Sequence, residues 1–179
     1  MEADWEVEIG GDAPVIDGCW DGRVDLRGAP ERATQLAETQ RLSSLADTLV
    51  RLNSESSPVW TSKCDVWYPE DFAPDDMDAS NKEGNYGIAC YIDLLPRTDQ
   101  EWATPKQAVA ACQSICVKLF EMPMRSCRAD LVVRDAWIAP NRKSLGITAY
   151  LTACGSSLDR ATSVLASALR CLGAAVDPG

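Results

Sequence analysis

Apolar and polar positions change period several times along the chain, and each change marks an element. "WEVEIG" alternates and then meets the Gly-rich break "GGDAP". "VIDGCW" and "RVDL" flank Asp21–Gly22, a turn signal that predicts a hairpin. Residues 1–27 therefore read as two or three short strands. From Pro30 the period becomes helical: Leu42, Leu45, Leu49 and Leu52 form one stripe, and "PERATQLAETQRLSSLADTLVRLN" reads as a helix. "SSP" breaks it, and "VWTSKCDVWY" is rich in strand formers.

Residues 69–86, "PEDFAPDDMDASNKEGNY", read as a long exposed acidic loop, and "GIACYIDLL" as the next strand. "TPKQAVAACQSICVKLFEM" carries a capping box, with Thr104 as N-cap, Pro105 at the first helical position and Gln107 answering the cap. "CRADLVVRDAWI" and "LGITAYLTAC" are two more strands. A last helix, with Ser156 and Asp159 in capping-box relation, ends near Gly173.

These pieces suggest an internal repeat. Leu45, Leu49 and Asp65–Val66–Trp67 return seventy positions on as Ile115, Leu119 and Asp135–Ala136–Trp137. Gly87–Ile88, Tyr91 and Ile92 return fifty-nine positions on as Gly146–Ile147, Tyr150 and Leu151, the difference falling in the acidic loop. The expected architecture is α+β: a two-layer sandwich, mainly antiparallel, with helices on one face of the sheet and an extended ferredoxin-like core. One domain spans 1–179, with N-terminal strands at 1–27, a first helix–strand–strand unit at 30–95, a second at 104–154 and a C-terminal helix at 156–173.

Strand alternation then decides which side chains meet. Ile88, Cys90, Ile92 and Leu94 share one face, as do Ile147, Ala149, Leu151 and Ala153, and these belong beneath the helices. Ala89, Tyr91 and Asp93, with Thr148, Tyr150 and Thr152, face the other way. In the preceding strand, unbroken alternation pairs Cys64 with Trp60, Ser62 and Val66, and sets Lys63 with Thr61, Asp65 and Trp67. The repeat places Asp135 and Trp137 equivalently to Asp65 and Trp67, although they share a face with Leu131 and Val133.

The candidate surface is therefore Lys63, Asp65, Trp67, Tyr91, Asp93, Asp135, Trp137 and Tyr150 on the helix-free side. Two functions compete for it. One is a non-catalytic interaction surface, used for self-association as a homodimer or, in an acidic inhibitor or immunity-type protein, to cover a basic protein partner. The other is a small enzyme or small-molecule site in which Lys63, Asp65, Tyr91, Asp93 and Tyr150 bind a polar ligand or move protons.

Composition narrows the chemistry. The 179 residues contain 27 acids and 17 bases, a formal net charge of −10, which argues against nucleic acid and anionic membrane as partners. With no histidine, His-based nucleophile pairs, general bases and metal sites are excluded. No phosphate loop appears, and no cofactor is expected. The opening residues lack a signal-peptide pattern and no apolar run is long enough to span a bilayer, so a soluble, cytoplasmic protein is expected, with its eight cysteines reduced. Cys112 and Cys116 share a helix face without further ligands, so they read as core rather than zinc site. Asp76, Asp78 and Ser80 match the first calcium-loop positions, but Asn81 and Gly87 break that pattern, and no metal is expected.

Overall fold

A computed structural model describes residues 1–80, 84–98 and 101–177. Its strands are β1 (Glu2–Glu8), β2 (Ile16–Asp17), β3 (Val59–Trp67), β4 (Tyr86–Pro96), β5 (Cys127–Ala139) and β6 (Arg142–Gly155). Its α-helices are α1 (Ala37–Arg41), α2 (Ser43–Leu52), α3 (Pro105–Phe120) and α4 (Leu158–Val176). The sheet order is β1-β5-β6-β4-β3, with β2 continuing the β1 side of β5. The pairs β3–β4, β4–β6 and β5–β6 are antiparallel, while β1 and β2 run parallel to β5. The protein is thus an α+β sandwich on a mixed sheet. Helix–strand–strand recurs as α2–β3–β4 and α3–β5–β6. This order does not establish a ferredoxin-like core, because β6 lies between β5 and β4 and β1 sits at the edge.

One apolar core lies between the sheet and the helices. Ile88, Cys90, Ile92 and Leu94 of β4 and Ile147, Ala149, Leu151 and Ala153 of β6 are all essentially inaccessible, and they pack with Leu165, Leu169 and Leu172 of α4. Leu42, Leu45, Leu49 and Leu52 enter the same core. The α3 capping box forms, with Thr104 and Gln107 satisfying each other's backbone N–H. Cys112 and Cys116 are buried on the inner face of α3.

Several elements differ from the expected ones. Pro30–Leu52 is a 3-10 turn (Pro30–Gln35) followed by α1 and α2, interrupted at Leu36 and Leu42, whose backbones are extended. Thr39 bridges the first break: its hydroxyl donates to the carbonyls of Ala33 and Leu36, which also accept from the Leu36 and Gln40 N–H groups. No hairpin forms about Asp21–Gly22. Instead the Gly18 N–H donates to the Trp137 carbonyl at 2.7 Å, continuing the alignment of β2 along β5, and residues 20–26 run on beside β3. The N-cap of α4 is Ser157, one residue later than expected, and the helix passes through Gly173 to Val176. A Cβ at Gly173 would stand 3.3 Å from Cδ of Arg51, so the glycine keeps α2 close to α4.

The acidic segment is not a free loop. Met77 and Ala79 are buried and pack with Phe72 against Cys154, on the sheet face that carries no helix. Of the calcium-like positions, Asn81 lies outside the described residues. Among the described residues no helix is long and apolar enough to cross a membrane.

Candidate functional site

The helix-free face is ordered in rows by strand register, because residues paired across a sheet point the same way. One row runs Asp4, Asp130, Tyr150, Tyr91 and Asp65 from β1 to β3. At about 4.8 Å between strands this line of carboxylates and phenols is roughly 19 Å long. The row on one side is Glu2, Arg128, Thr152, Ala89 and Trp67, and on the other side stand Glu6, Val132, Thr148 and Asp93. The rings of Trp67, Tyr91 and Tyr150 form a tilted series with centroids 6.3 and 6.0 Å apart.

Two glycines let this face be walled at both ends. A Cβ on Gly87 would sit 2.7 Å from the Phe72 ring, and one on Gly146 would sit 2.7 Å from Cδ1 of Ile16. Phe72 brings the acidic segment down at one end. At the other, Ile16 closes a small cluster with Trp60, Leu95 and Ala136. Gly87 and Gly146 are the positions the sequence pattern pairs, so matched gaps seat two unrelated covering segments.

Asp93 lies between the walls and is 7% exposed. The Thr148 hydroxyl donates to it at 2.7 Å. Burial pushes its carboxyl above the usual 3.8, while the Thr148 hydrogen bond and the charges of Arg134 and Lys63 pull the other way. Burial also pushes the Tyr91 phenol up to about 12, aided by the nearby Asp93 and Asp65 charges. Arg134, absent from the candidate surface read from sequence, donates to the Tyr150 hydroxyl at 3.1 Å and pairs with Glu8 at 2.8 Å. Its alternation with Val132 and Asp130 on β5 was the available signal. Arg128 is held by Asp130 at 2.7 Å and by Asp4 at 3.9 Å, and its acidity is further weakened by Asp76. A recess of about 480 Å³ opens beside it, lined by Trp67, Asp71, Asp76, Ala89, Asp130 and Thr152.

A β-bulge revises the β3 faces. Thr61 pairs with Leu94 but Cys64 pairs with Ile92, so one extra residue stands opposite Asp93. Alternation flips there. Trp60 joins the helix-free side with Asp65 and Trp67, while Val59, Thr61, Cys64 and Val66 face the helices. Cys64 is therefore not on the Trp60 face, and burial pushes its thiol up to about 12. The bulge also separates the two Asp–Trp pairs. Asp135 and Trp137 stay in phase with Leu131 and Val133, on the opposite side from Asp65 and Trp67. Asp135 accepts from the Gly10 N–H at 3.0 Å, and Lys143 lies over the Trp137 ring at 5.2 Å.

The candidate residues thus fall into three groups. Trp67, Tyr91, Asp93 and Tyr150 lie together on the floor of the open face. Lys63 and Asp65, with Tyr91 shared, border a cavity at the β3 edge. Asp135 and Trp137 belong to neither. All eight cysteines are free thiols, and among the described residues no group of three potential ligands stands together to hold a metal ion.

The edge strand itself is guarded. The Ser57 hydroxyl accepts from the Val59 N–H, Asn53 Oδ1 from the Thr61 N–H, and Asp65 Oδ1 from the Val66 N–H. Arg97 and Arg41 donate to the carbonyls of Val59 and Val66. Side chains occupy the groups that an added strand would need.

Compared with protein-family models, curated proteins and solved structures, the chain matches none.

Proposed function

We propose that this is a non-catalytic binding protein whose helix-free sheet face receives a basic protein partner. The supporting observation is the row Asp4–Asp130–Tyr150–Tyr91–Asp65, which sets phenol rings between carboxylates across five strands. Rings flanked by carboxylates suit guanidinium and ammonium groups, which take both the ring face and the charge. Among the described residues, the rows from Glu2 to Glu8 carry Glu2, Asp4, Glu6, Glu8, Asp65, Asp93 and Asp130 against Lys63, Arg128 and Arg134, so acids outnumber bases there. A second copy of the chain would bring the same carboxylates against one another, so the charge favours a basic partner over a homodimer.

Asp93 supports the same reading. A buried carboxylate with one hydroxyl partner works against stability, and such groups concentrate where a ligand supplies the missing charge. In the 480 Å³ recess, Arg128 has the surroundings expected for a partner's arginine, since its guanidinium pairs with Asp130 and Asp4 and also feels the Asp76 charge.

The test is an NMR titration of the isotope-labelled protein with tetra-arginine and with tetra-glutamate peptides. Tetra-arginine should shift the amides of Trp67, Tyr91, Asp93 and Tyr150, with shifts that fade as salt rises, and tetra-glutamate should leave them in place. Equal responses to both peptides, or shifts confined to the helices, overturn the proposal. Sedimentation showing a dimer that the Asp130→Lys variant strengthens would favour self-association instead.

A further inference from the structure

The cavity at the β3 edge adjoins the open face and shares Tyr91 and Asp65 with it, but its reading does not rest on the basic-partner proposal. It encloses about 450 Å³, within the usual range for small-molecule sites. One wall is residues 20–26, which lack regular secondary structure yet are firmly held. Upstream, the Ser62 hydroxyl donates to the Asp17 carbonyl at 2.6 Å. Downstream, Arg23 and Arg27 both pair with Asp25 and lie over the Trp60 ring at 5.1 and 4.4 Å, and Leu26 enters the core. Trp20, Gly22 and Val24 span the interval and face the cavity. The opposite wall is the bulged part of β3.

The lining has two chemistries. Val24, Leu26, Leu36 and Leu49 give an apolar side. The polar side holds the Lys63 ammonium and the Glu38 and Asp65 carboxylates. Asp65 is committed to Arg41 at 3.6 Å and to the Val66 N–H. Among the described residues Lys63 and Glu38 make no ion pair; the Lys63 ammonium lies 5.4 Å from the Trp20 ring centroid, and its charge also reaches Asp93. The indole N–H of the same Trp20 is buried and has no hydrogen-bond partner. A buried donor left unpaired costs roughly 1–3 kcal/mol, so such an atom calls for an acceptor.

We infer that this cavity binds a small zwitterion with an apolar body, the chemistry of an apolar or aromatic α-amino acid. A simple anion would meet Lys63 but be repelled by Glu38 and Asp65. A simple cation would meet the carboxylates but be repelled by Lys63. A zwitterion satisfies both: its carboxylate takes the Lys63 ammonium while its ammonium takes Glu38. The side chain then covers Val24, Leu26, Leu36 and Leu49. Strand addition is not the occupant, because side chains guard the edge on both sides of the bulge.

Calorimetry and tryptophan fluorescence with L-phenylalanine and L-leucine test this. Both should bind and alter the emission, and glycine, which lacks the apolar body, should bind much more weakly. Phenylalaninamide and N-acetylphenylalanine, each missing one charge, should each bind roughly tenfold more weakly than phenylalanine. Lys63→Met should abolish the preference for phenylalanine over its amide, and Glu38→Gln the preference over its N-acetyl form, with far-UV circular dichroism confirming that both variants fold. No binding up to about 10 mM, a range that already admits very weak ligands, overturns the inference. So does equal binding of the derivatives, or preferences that survive both substitutions. A variant that fails to fold leaves the wild-type ranking of free and blocked amino acids to decide.

Discussion

The two faces of the central sheet share the same backbone and obey different rules. Beneath the helices, β4 from Ile88 to Leu94 and β6 from Leu145 to Ala153 present only apolar side chains, buried against α4 and its neighbours. On the open face the same strands carry Tyr91, Asp93, Thr148, Tyr150 and Thr152, held by hydrogen bonds, tilted ring contacts and two walls seated on glycines. The covered face serves stability alone. The open face keeps a buried carboxylate whose burial disfavours its charge, a feature that the proposed binding role would account for and packing alone does not.

The sharpest way to break this comparison is to truncate neighbouring residues that point to opposite faces. Leu151→Ala should destabilise by about 3 kcal/mol, since it empties a sealed core position. Thr152→Ala, one residue on, should change stability by about 0.5 kcal/mol or less. Urea denaturation measures both, and equal losses would erase the distinction between the faces. Next in size is Gly146→Val, which drives a side chain into Ile16 and should cost roughly 2 kcal/mol. Hydrogen exchange should then show Ile16–Gly18 released while β6 stays protected, and unchanged protection there would deny that the glycine seats the wall.

Asp93→Asn sharpens the contrast in the opposite direction. Burial raises the folded carboxyl above its unfolded value of 3.8, so the cost of ionised Asp93 is absent below pH 3.8 and complete above the folded pKa. The variant keeps an acceptor for Thr148 and removes that cost. It should gain about 1 kcal/mol at neutral pH, or some 2–4 °C in Tm, and the advantage should shrink to nothing as pH falls towards 3.8. A variant less stable than wild type at neutral pH would show that the charge is well compensated. A small effect is also expected of Tyr150→Phe, which deletes one acceptor for Arg134 and should alter stability by less than about 1 kcal/mol. Its effect should appear instead as weaker tetra-arginine shifts in the NMR titration.

Much of the covered face was legible from the chain, because burial on one side enforces strict alternation in β4 and β6 and the Thr104–Gln107 box announces α3. The open face was harder to read, for identifiable reasons. A bulge changes no residue type, so nothing in "WTSKCDVW" signals that Lys63 begins a new phase, yet that one residue moves Trp60 and Cys64 to opposite sides and parts Asp65 from Asp135. The acids of residues 69–80 outweighed Phe72, Met77 and Ala79, the residues that hold the segment down. Breaks at Leu36 and Leu42 escaped notice because leucine fits a helical stripe equally well. The cavity wall at residues 20–26 depends on pairing between β2 and β5, more than a hundred residues apart, which no local pattern encodes.

The pairing of β1 with β5 sets a timetable for synthesis. Glu2 meets Arg128 and Glu8 meets Arg134, so β1 must wait for some 120 further residues to leave the ribosome before its partner exists. At about 5–20 residues per second that delay is roughly 6–25 s. A bare strand with an apolar face, Ala3 and Trp5, would be open to stray pairing throughout. Glu2, Asp4, Glu6 and Glu8 keep it charged at every second position while it waits, and the same four carboxylates later line one border of the helix-free face.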